Sequence, residues 1–332
     1  MTIVIVTDAW TPQVNGVVRT IGTVQRELQA MGHRVEVIGP DQFRTVPLPT
    51  YPEIRLALGA GRRLAGMIDG IKPDCIHIST EGPLGFAARR YCLARKKPFT
   101  TAYHTRFPEY VRDRAPVPLG LGYAVVRRFH RPSAAVMVAT PSIERDLEAR
   151  GFANLRRWTR GVDTELFRPR DKGFLDLPRP IALYVGRVAV EKNLEDFLRL
   201  DLPGSKLVVG DGPARAELER RYPEVHWAGA RQGEDLARHY AAADVFVFPS
   251  RSDTFGLVLL EALASGLPVA AYPVPGPLDV LEGSSAGVLD EDLGRAVRAA
   301  LTIPPERCRE HALRYSWRRS AEQFLANLHA FR

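Results

Sequence analysis

Two carboxylates, Asp253 and Glu261, bracket the run Ser252-Asp253-Thr254-Phe255-Gly256-Leu257-Val258-Leu259-Leu260-Glu261. The run reads as a polar loop, a glycine turn and then an amphipathic helix carrying the second carboxylate. Ahead of it, Asp244 to Pro249 has the composition of a buried strand, so Asp253 falls where a strand end meets a helix start. Bare N–H groups and the helix dipole favour an anion there. Gly256 has no side chain to obstruct close approach. Seven residues separate the carboxylates, roughly two helical turns, a spacing that lets them grip two parts of one phosphorylated ligand.

A second segment supplies cations. Tyr184-Val185-Gly186-Arg187-Val188-Ala189-Val190-Glu191-Lys192-Asn193 ends a strand with a glycine and then sets Arg187 and Lys192 five residues apart. A guanidinium forks onto diphosphate oxygens and an ammonium adds a second positive charge, a pair suited to a departing diphosphate. Two solvated cations with Glu191 as a local partner is the plainer alternative. Near the amino terminus, Thr11-Pro12-Gln13-Val14-Asn15-Gly16-Val17-Val18-Arg19-Thr20 places a glycine just before a helix. It serves either as a structural turn or as a phosphate-facing loop. His104, in Tyr103-His104-Thr105-Arg106-Phe107, directly follows a strand and suits contact with a substrate hydroxyl. Gly210-Asp211-Gly212-Pro213 reads as a turn bordering a nucleotide pocket. Asp290-Glu291-Asp292 matches a D-x-D pattern, but it stands at a helix start, where acidic caps are expected. Metal-protease, Walker and nucleophile-elbow signatures do not occur.

The elements that must position these residues alternate. Ile3 to Thr7, Arg34 to Ile38, Cys75 to Ser79, Phe99 to Tyr103 and Ala135 to Ala139 read as strands, with amphipathic helices such as Val17 to Ala30 and Gly85 to Ala94 between them. The alternation restarts after residue 180 with Ile181 to Gly186, Lys206 to Gly210, Val225 to Trp227, Asp244 to Phe248 and Val269 to Tyr272. Arg160 to Leu177, with scattered Gly and Pro and no period, reads as a linker. Two doubly wound α/β domains in series imply a ligand cleft at the carboxyl ends of their strands. The final helical stretch, Trp317 to Ala330, is long enough to cross it and return to the first domain.

At 332 residues the chain is long enough for two full cores. Cys75, Cys92 and Cys308 are too few and too scattered for a disulfide framework or metal cluster, which points to packing residues in a reducing cytoplasm. The opening Met1 to Asp8 reads as a first strand and not as a leader, and no apolar run reaches the roughly 18 residues of a membrane helix. The net charge of +8 is uneven: residues 1–165 hold 24 Lys and Arg against 15 Asp and Glu, +9, and the remainder 22 against 23, −1. Arg89-Arg90, Arg95-Lys96-Lys97, Arg112, Arg114, Arg127-Arg128 and Arg131 supply the clusters. They are either solvated helix faces or a surface that meets anionic lipid or nucleic acid.

Taken together, Asn15-Gly16, His104, Gly186-Arg187 with Glu191-Lys192, and the segment from Phe246 to Val269 resemble the retaining glycosyltransferases of family four across the whole chain. The resemblance implies the GT-B fold and no metal cofactor. It implies an acceptor-binding domain over 1–165, a nucleotide-sugar-binding domain over 166–312 and a helix over 313–332 returning to the first. It further implies that Asn15 and Gly16 approach the donor, that His104 contacts the donor sugar, and that Arg187 and Lys192 hold the diphosphate. Asp253 would meet sugar hydroxyls, Thr254 and the amides around Phe255, Gly256 and Leu257 sugar or phosphate, and Glu261 the ribose. The family more often has Glu at both ends of this spacing, so Asp253 is shorter by a methylene.

The branch resembled holds GDP-mannose-dependent mannosyltransferases and lipid glycosyltransferases that use UDP-sugars. The basic first domain favours a membrane-lipid acceptor such as diacylglycerol, met at the inner face of the cell membrane, since a cation near anionic headgroups gains roughly 1 kcal/mol. A polysaccharide or other glycan acceptor with GDP-mannose is the alternative. A nucleotide-sugar epimerase shares the fold but needs no acceptor. Nucleic-acid binding, suggested by charge alone, lacks interleaved aromatics and is not expected.

Overall fold

The computed structural model describes residues 1–13, 15–48, 51–112 and 117–331, which divide into two compact units: Met1–Arg160 with Trp317–Arg332, and Gly161–Ser316. Arg114 lies outside the described residues, as does Val14 of the first loop.

In the first unit the strands are β1 (Thr2–Val6), β2 (Arg34–Ile38), the hairpin β3 (Thr45–Leu48) and β4 (Tyr51–Ala57), then β5 (Cys75–Ile78), β6 (Thr100–Tyr103), β7 (Ala135–Val138) and β8 (Leu155–Arg157). All but the hairpin form one parallel sheet in the order β2-β1-β5-β6-β7-β8. Its central strands are buried on both faces because helices cover both. Alternation assigns the faces: Ile3 and Ile5 join Ile21, Val24 and Leu28 of the helix Gly16–Ala30, whereas Val4 and Val6 join Leu64, Ile68 and Leu84 beneath the helices Gly61–Ile71 and Pro83–Ala94. Chain order reverses between β1 and β5, so this is the sheet's switch point.

The last helix, Trp317–Asn327, belongs to this unit. Ala321 and Phe324 enter the Ile3–Ile21 core, and the Phe324 ring lies 4.8 Å from His77 and 4.9 Å from Trp158. Ser320 Oγ donates to Thr159 O at 2.7 Å and Asn327 Nδ2 to Arg157 O at 2.8 Å.

The second unit repeats the plan with β9 (Ile181–Val185), β10 (Ser205–Val209), β11 (His226–Gly229), β12 (Val245–Phe248), β13 (Val269–Ala271) and β14 (Gly287–Leu289). They are parallel in the order β11-β10-β9-β12-β13-β14, with the switch point between β9 and β12. The segment read as a linker is fixed to this unit: Val162 N donates to Tyr315 O at 3.2 Å, and Arg309 donates to the carbonyls of Thr164, Phe167 and Ala264. Those bonds place the division at Arg160/Gly161 and Ser316/Trp317. All three cysteines are buried, and burial pushes the Cys75 thiol up to about 11 and those of Cys92 and Cys308 to about 12.

Candidate functional site

The loops leaving β9 and β12 flank the switch point of the second sheet, and they carry Arg187, Lys192 and Asp253. The first loop is held by backbone contact with the loop after β10. Gly186 N donates to Val209 O and Val188 N to Asp211 O, at 3.0 and 2.9 Å. A Cβ at Gly210 would stand 1.8 Å from Gly186 O, and one at Gly212 2.3 Å from Val188 O. These glycines are therefore required by the close approach of two chain segments. Tyr184, buried under the loop, donates from its hydroxyl to Arg187 O at 2.8 Å.

Lys192 ends the short 3-10 turn Val190–Lys192, and its Nζ donates to Asp253 Oδ1 at 2.6 Å. The two side chains are 19% and 20% exposed. The second oxygen, Asp253 Oδ2, is buried with no hydrogen-bond partner among the described residues, which suits it to accept from a hydroxyl. Ser252 Oγ donates to Glu191 O at 3.2 Å, a second tie between the loops. The residues that the sequence marks as cation and carboxylate thus meet across the switch point.

The Asp253–Glu261 run departs from the helical reading. The helix is Leu257–Ala264, so Asp253 and Thr254 lie in the loop before it and the carboxylates are not two turns apart on one helix. Gly256 precedes the helix at φ 85°, a left-handed conformation that disfavours any side chain. The helix is not amphipathic: Leu259 through Ala264 are all buried, Glu261 included at 3% exposure. Glu261 Oε2 accepts from the hydroxyl of buried Tyr240 at 2.9 Å. The Phe255 side chain is core, edge-on to Tyr315 at 6.4 Å, which leaves its backbone for the loop surface. Gly276, near the start of the helix Pro275–Leu281, brings its backbone against this loop; a Cβ there would lie 3.1 Å from both Asp253 O and Phe255 O. Sequence reading overlooked Gly276, although Pro-Val-Pro-Gly-Pro after a strand is a turn signal. Tyr240, inside an ordinary helical pattern, gave none.

In the first unit Asn15 caps the helix Gly16–Ala30, its Oδ1 accepting from Val17 N and Val18 N at 3.0 Å each. Gly16 is the first helical residue, and its carbonyl accepts from Thr20 Oγ1 at 2.7 Å. Asp8, at the end of β1, spends its carboxylate inside the fold: it accepts from Thr80 Oγ1 at 2.8 Å, Leu84 N at 2.8 Å and Gly85 N at 3.2 Å, capping the helix Pro83–Ala94. His104 follows β6 and meets Arg160, whose Nη2 lies 3.2 Å from its Nδ1. Desolvation first, and then the Arg160 charge, hold the His104 pKa well below the usual histidine range. Arg160 carries no signal in the sequence, because the three-residue strand β8 before it has too little pattern to reveal a strand end.

The acidic run is accounted for by capping. Asp292 Oδ1 accepts from Arg295 N at 3.0 Å at the start of the helix Leu293–Ala300, and Asp290 takes the Arg295 guanidinium, which holds it at about 2. Among the described residues no cluster of His, Cys, Asp and Glu is arranged to hold a metal ion, and no helix is long and apolar enough to cross a membrane.

Two parallel α/β units with strand-end loops of this kind define a GT-B protein. The same architecture occurs in sucrose-phosphate synthase from Thermosynechococcus elongatus (TM-score 0.78, 22% identity, 98% of this chain and 97% of that one) and in Anabaena HepE in complex with UDP-glucose (0.72, 15%, 98% of both). Residues 14–166 match the model of Glycosyltransferase Family 4, and residues 179–303 that of Glycosyl transferases group 1. A GDP-mannose-dependent alpha-mannosyltransferase of Mycobacterium tuberculosis is 31% identical over 86% of this chain and 83% of its own. A sulfoquinovosyl transferase of Arabidopsis thaliana is 32% identical over 88% of this chain, which spans 66% of that protein. An alpha-monoglucosyldiacylglycerol synthase of Streptococcus pneumoniae is 28% identical over 100% of this chain and 85% of its own. The chain belongs to glycosyltransferase family 4, and it is a glycosyltransferase.

Proposed function

We propose that the chain is a retaining, metal-independent glycosyltransferase that moves a hexose from a nucleoside-diphosphate sugar to a membrane-lipid acceptor such as diacylglycerol. The observation that carries this reading is the pairing of Lys192 with Asp253 across one switch point, on loops that also carry Arg187: cations for a diphosphate beside a buried carboxylate oxygen for a sugar hydroxyl. As the bond from the anomeric carbon to the diphosphate oxygen breaks, negative charge grows on the leaving group. Arg187, Lys192 and loop amides bind that charge more strongly in the transition state than in the ground state. The acceptor oxygen bonds to the anomeric carbon on the face the diphosphate leaves, and its proton passes to a diphosphate oxygen. Glu261, fixed by Tyr240, serves the ribose.

The lipid acceptor is supported by the diacylglycerol-glucosylating relative and by one surface. On the helix Leu119–His130, Leu121 and Val125 are 58% and 53% exposed and share a face with exposed Arg128. Apolar side chains beside a cation suit the inner face of a cell membrane. Other basic residues are spent internally: Arg89 donates to Phe129 O and Arg128 O, and Arg95 pairs with Asp69. A second reading, GDP-mannose-dependent transfer to a glycan, is favoured by the mycobacterial relative.

Calorimetry with UDP, GDP and ADP, followed by a radiolabelled donor panel with diacylglycerol or glycan acceptors, separates the readings. Transfer into the lipid phase and sedimentation with anionic vesicles at low salt are expected, both reduced in Leu121→Asp/Val125→Asp. Transfer to glycan alone replaces the lipid reading with the second, and epimerised donor without acceptor overturns both.

A further inference from the structure

Arg160 is 5% exposed, and among the described residues it forms no ion pair. Its guanidinium donates to neutral acceptors: Nη1 to Trp158 O at 2.6 Å and Thr159 O at 3.2 Å, with Nη2 3.2 Å from His104 Nδ1. Its carbon also stands 4.3 Å from the Trp158 ring centroid. A buried cation without a counter-charge costs several kcal/mol, which these three contacts and the Trp158 ring offset. Burial lowers its pKa only to about 9, so it remains protonated at neutral pH. A guanidinium has five donors and no acceptor, so His104 Nδ1 is obliged to accept. An imidazole accepting at Nδ1 carries its proton on Nε2.

We infer that Arg160 is a positioning residue that fixes His104 as the neutral Nε2–H tautomer, so that the strand end of β6 presents a hydrogen-bond donor and not a base. The groups facing His104 agree in sign. Desolvation and then the Arg160 charge disfavour a positive imidazole, and His77 and His130 act the same way only where they are protonated. His77 is itself bonded through Nδ1 to Thr100 Oγ1 and held at about 3 by burial, and His130 is engaged by Thr101 and Glu81. The edge of the Trp158 ring, 5.5 Å from His104 at 68°, restricts rotation of the imidazole. The tautomer stands on this geometry alone. That the donor meets a hydroxyl of the transferred sugar rests on the glycosyltransferase reading above.

The full chain labelled with ¹⁵N-histidine tests it through long-range ¹H–¹⁵N correlation spectra, with the His104 signals assigned by their loss in His104→Gln. The expected result is a protonated Nε2 and a bare Nδ1 that persist from mildly alkaline to mildly acid pH. An Nδ1–H tautomer, or an imidazolium near neutral pH, overturns the proposal whether or not a donor has been found. In Arg160→Met the tautomers are expected to mix and protonation to move to higher pH, because a repelling charge is gone. With an active donor, His104→Gln, whose amide nitrogen reaches near Nε2, should retain about tenfold more kcat than His104→Asn, whose amide reaches only near Nδ1. Equal losses overturn the donor role, whereas a wild-type chain silent with every donor overturns the function instead.

Discussion

The same topological position is filled with opposite chemistry in the two units. At the β9/β12 switch point the second unit keeps its charges where a ligand can reach them, with Lys192 and Asp253 paired at 2.6 Å and each about one-fifth exposed. At the β1/β5 switch point the first unit turns its charges inward. Asp8 is consumed by Thr80 and the start of the helix Pro83–Ala94, and Glu81 accepts from buried His130 at 3.0 Å. At the adjacent strand end His104 lies beside a guanidinium whose acceptors among the described residues are neutral. One architecture therefore carries a part-exposed ion pair at one strand end and a buried guanidinium–imidazole contact at the other, and the choice lies in a few loop residues.

The largest expected effect breaks the charged side. Arg187→Ala or Lys192→Ala should each lower kcat by about 10²- to 10³-fold, as loss of one preorganised electrostatic contact does, with little change in denaturation midpoint. Near-normal steady-state turnover in both variants overturns the diphosphate assignment. Asp8→Ala tests the opposite property. It strands Leu84 N, Gly85 N and the Thr80 hydroxyl in the interior and should cost about 2 kcal/mol in urea unfolding. An unchanged midpoint means that Asp8 is not the internal cap described.

Tyr240→Phe sharpens the comparison, since it removes a hydroxyl that holds Glu261 Oε2; about 1 kcal/mol of stability and a few-fold rise in donor KM are expected. Unaltered donor KM separates Glu261 from ribose binding. Asp292→Ala should do least, about 0.5–1 kcal/mol for a lost helix cap, with kcat unchanged and no response to chelator. Loss of activity restored by a divalent cation contradicts metal independence.

The strands were legible where apolar runs are long and flanked by turn residues. Arg34 to Ile38 is read with the bounds of β2, and the core strands of both sheets differ by only a residue or two. The hairpin β3–β4 and the short strands β8 and β14 were not read. Leu155-Arg156-Arg157 alternates nothing and carries two charges, so only its pairing with β7 makes it a strand. The same blindness hid Arg160. The second carboxylate misleads in another way, because Glu261 makes a helix that is buried from Leu259 to its end look amphipathic until Tyr240 is set across from it.

By itself the sequence determined two α/β units, a glycine-and-cation loop after β9 and a carboxylate loop after β12, because period, turn chemistry and charge spacing are local properties. It did not determine which charges face a ligand. Pairing Lys192 with Asp253, burying Glu261 on Tyr240, spending Asp8 on a helix start and setting Arg160 against His104 each join residues 21 to 76 positions apart. Such contacts exist only once the sheets have brought distant strand ends together, and the ionisation and tautomer of each group follow from those neighbours.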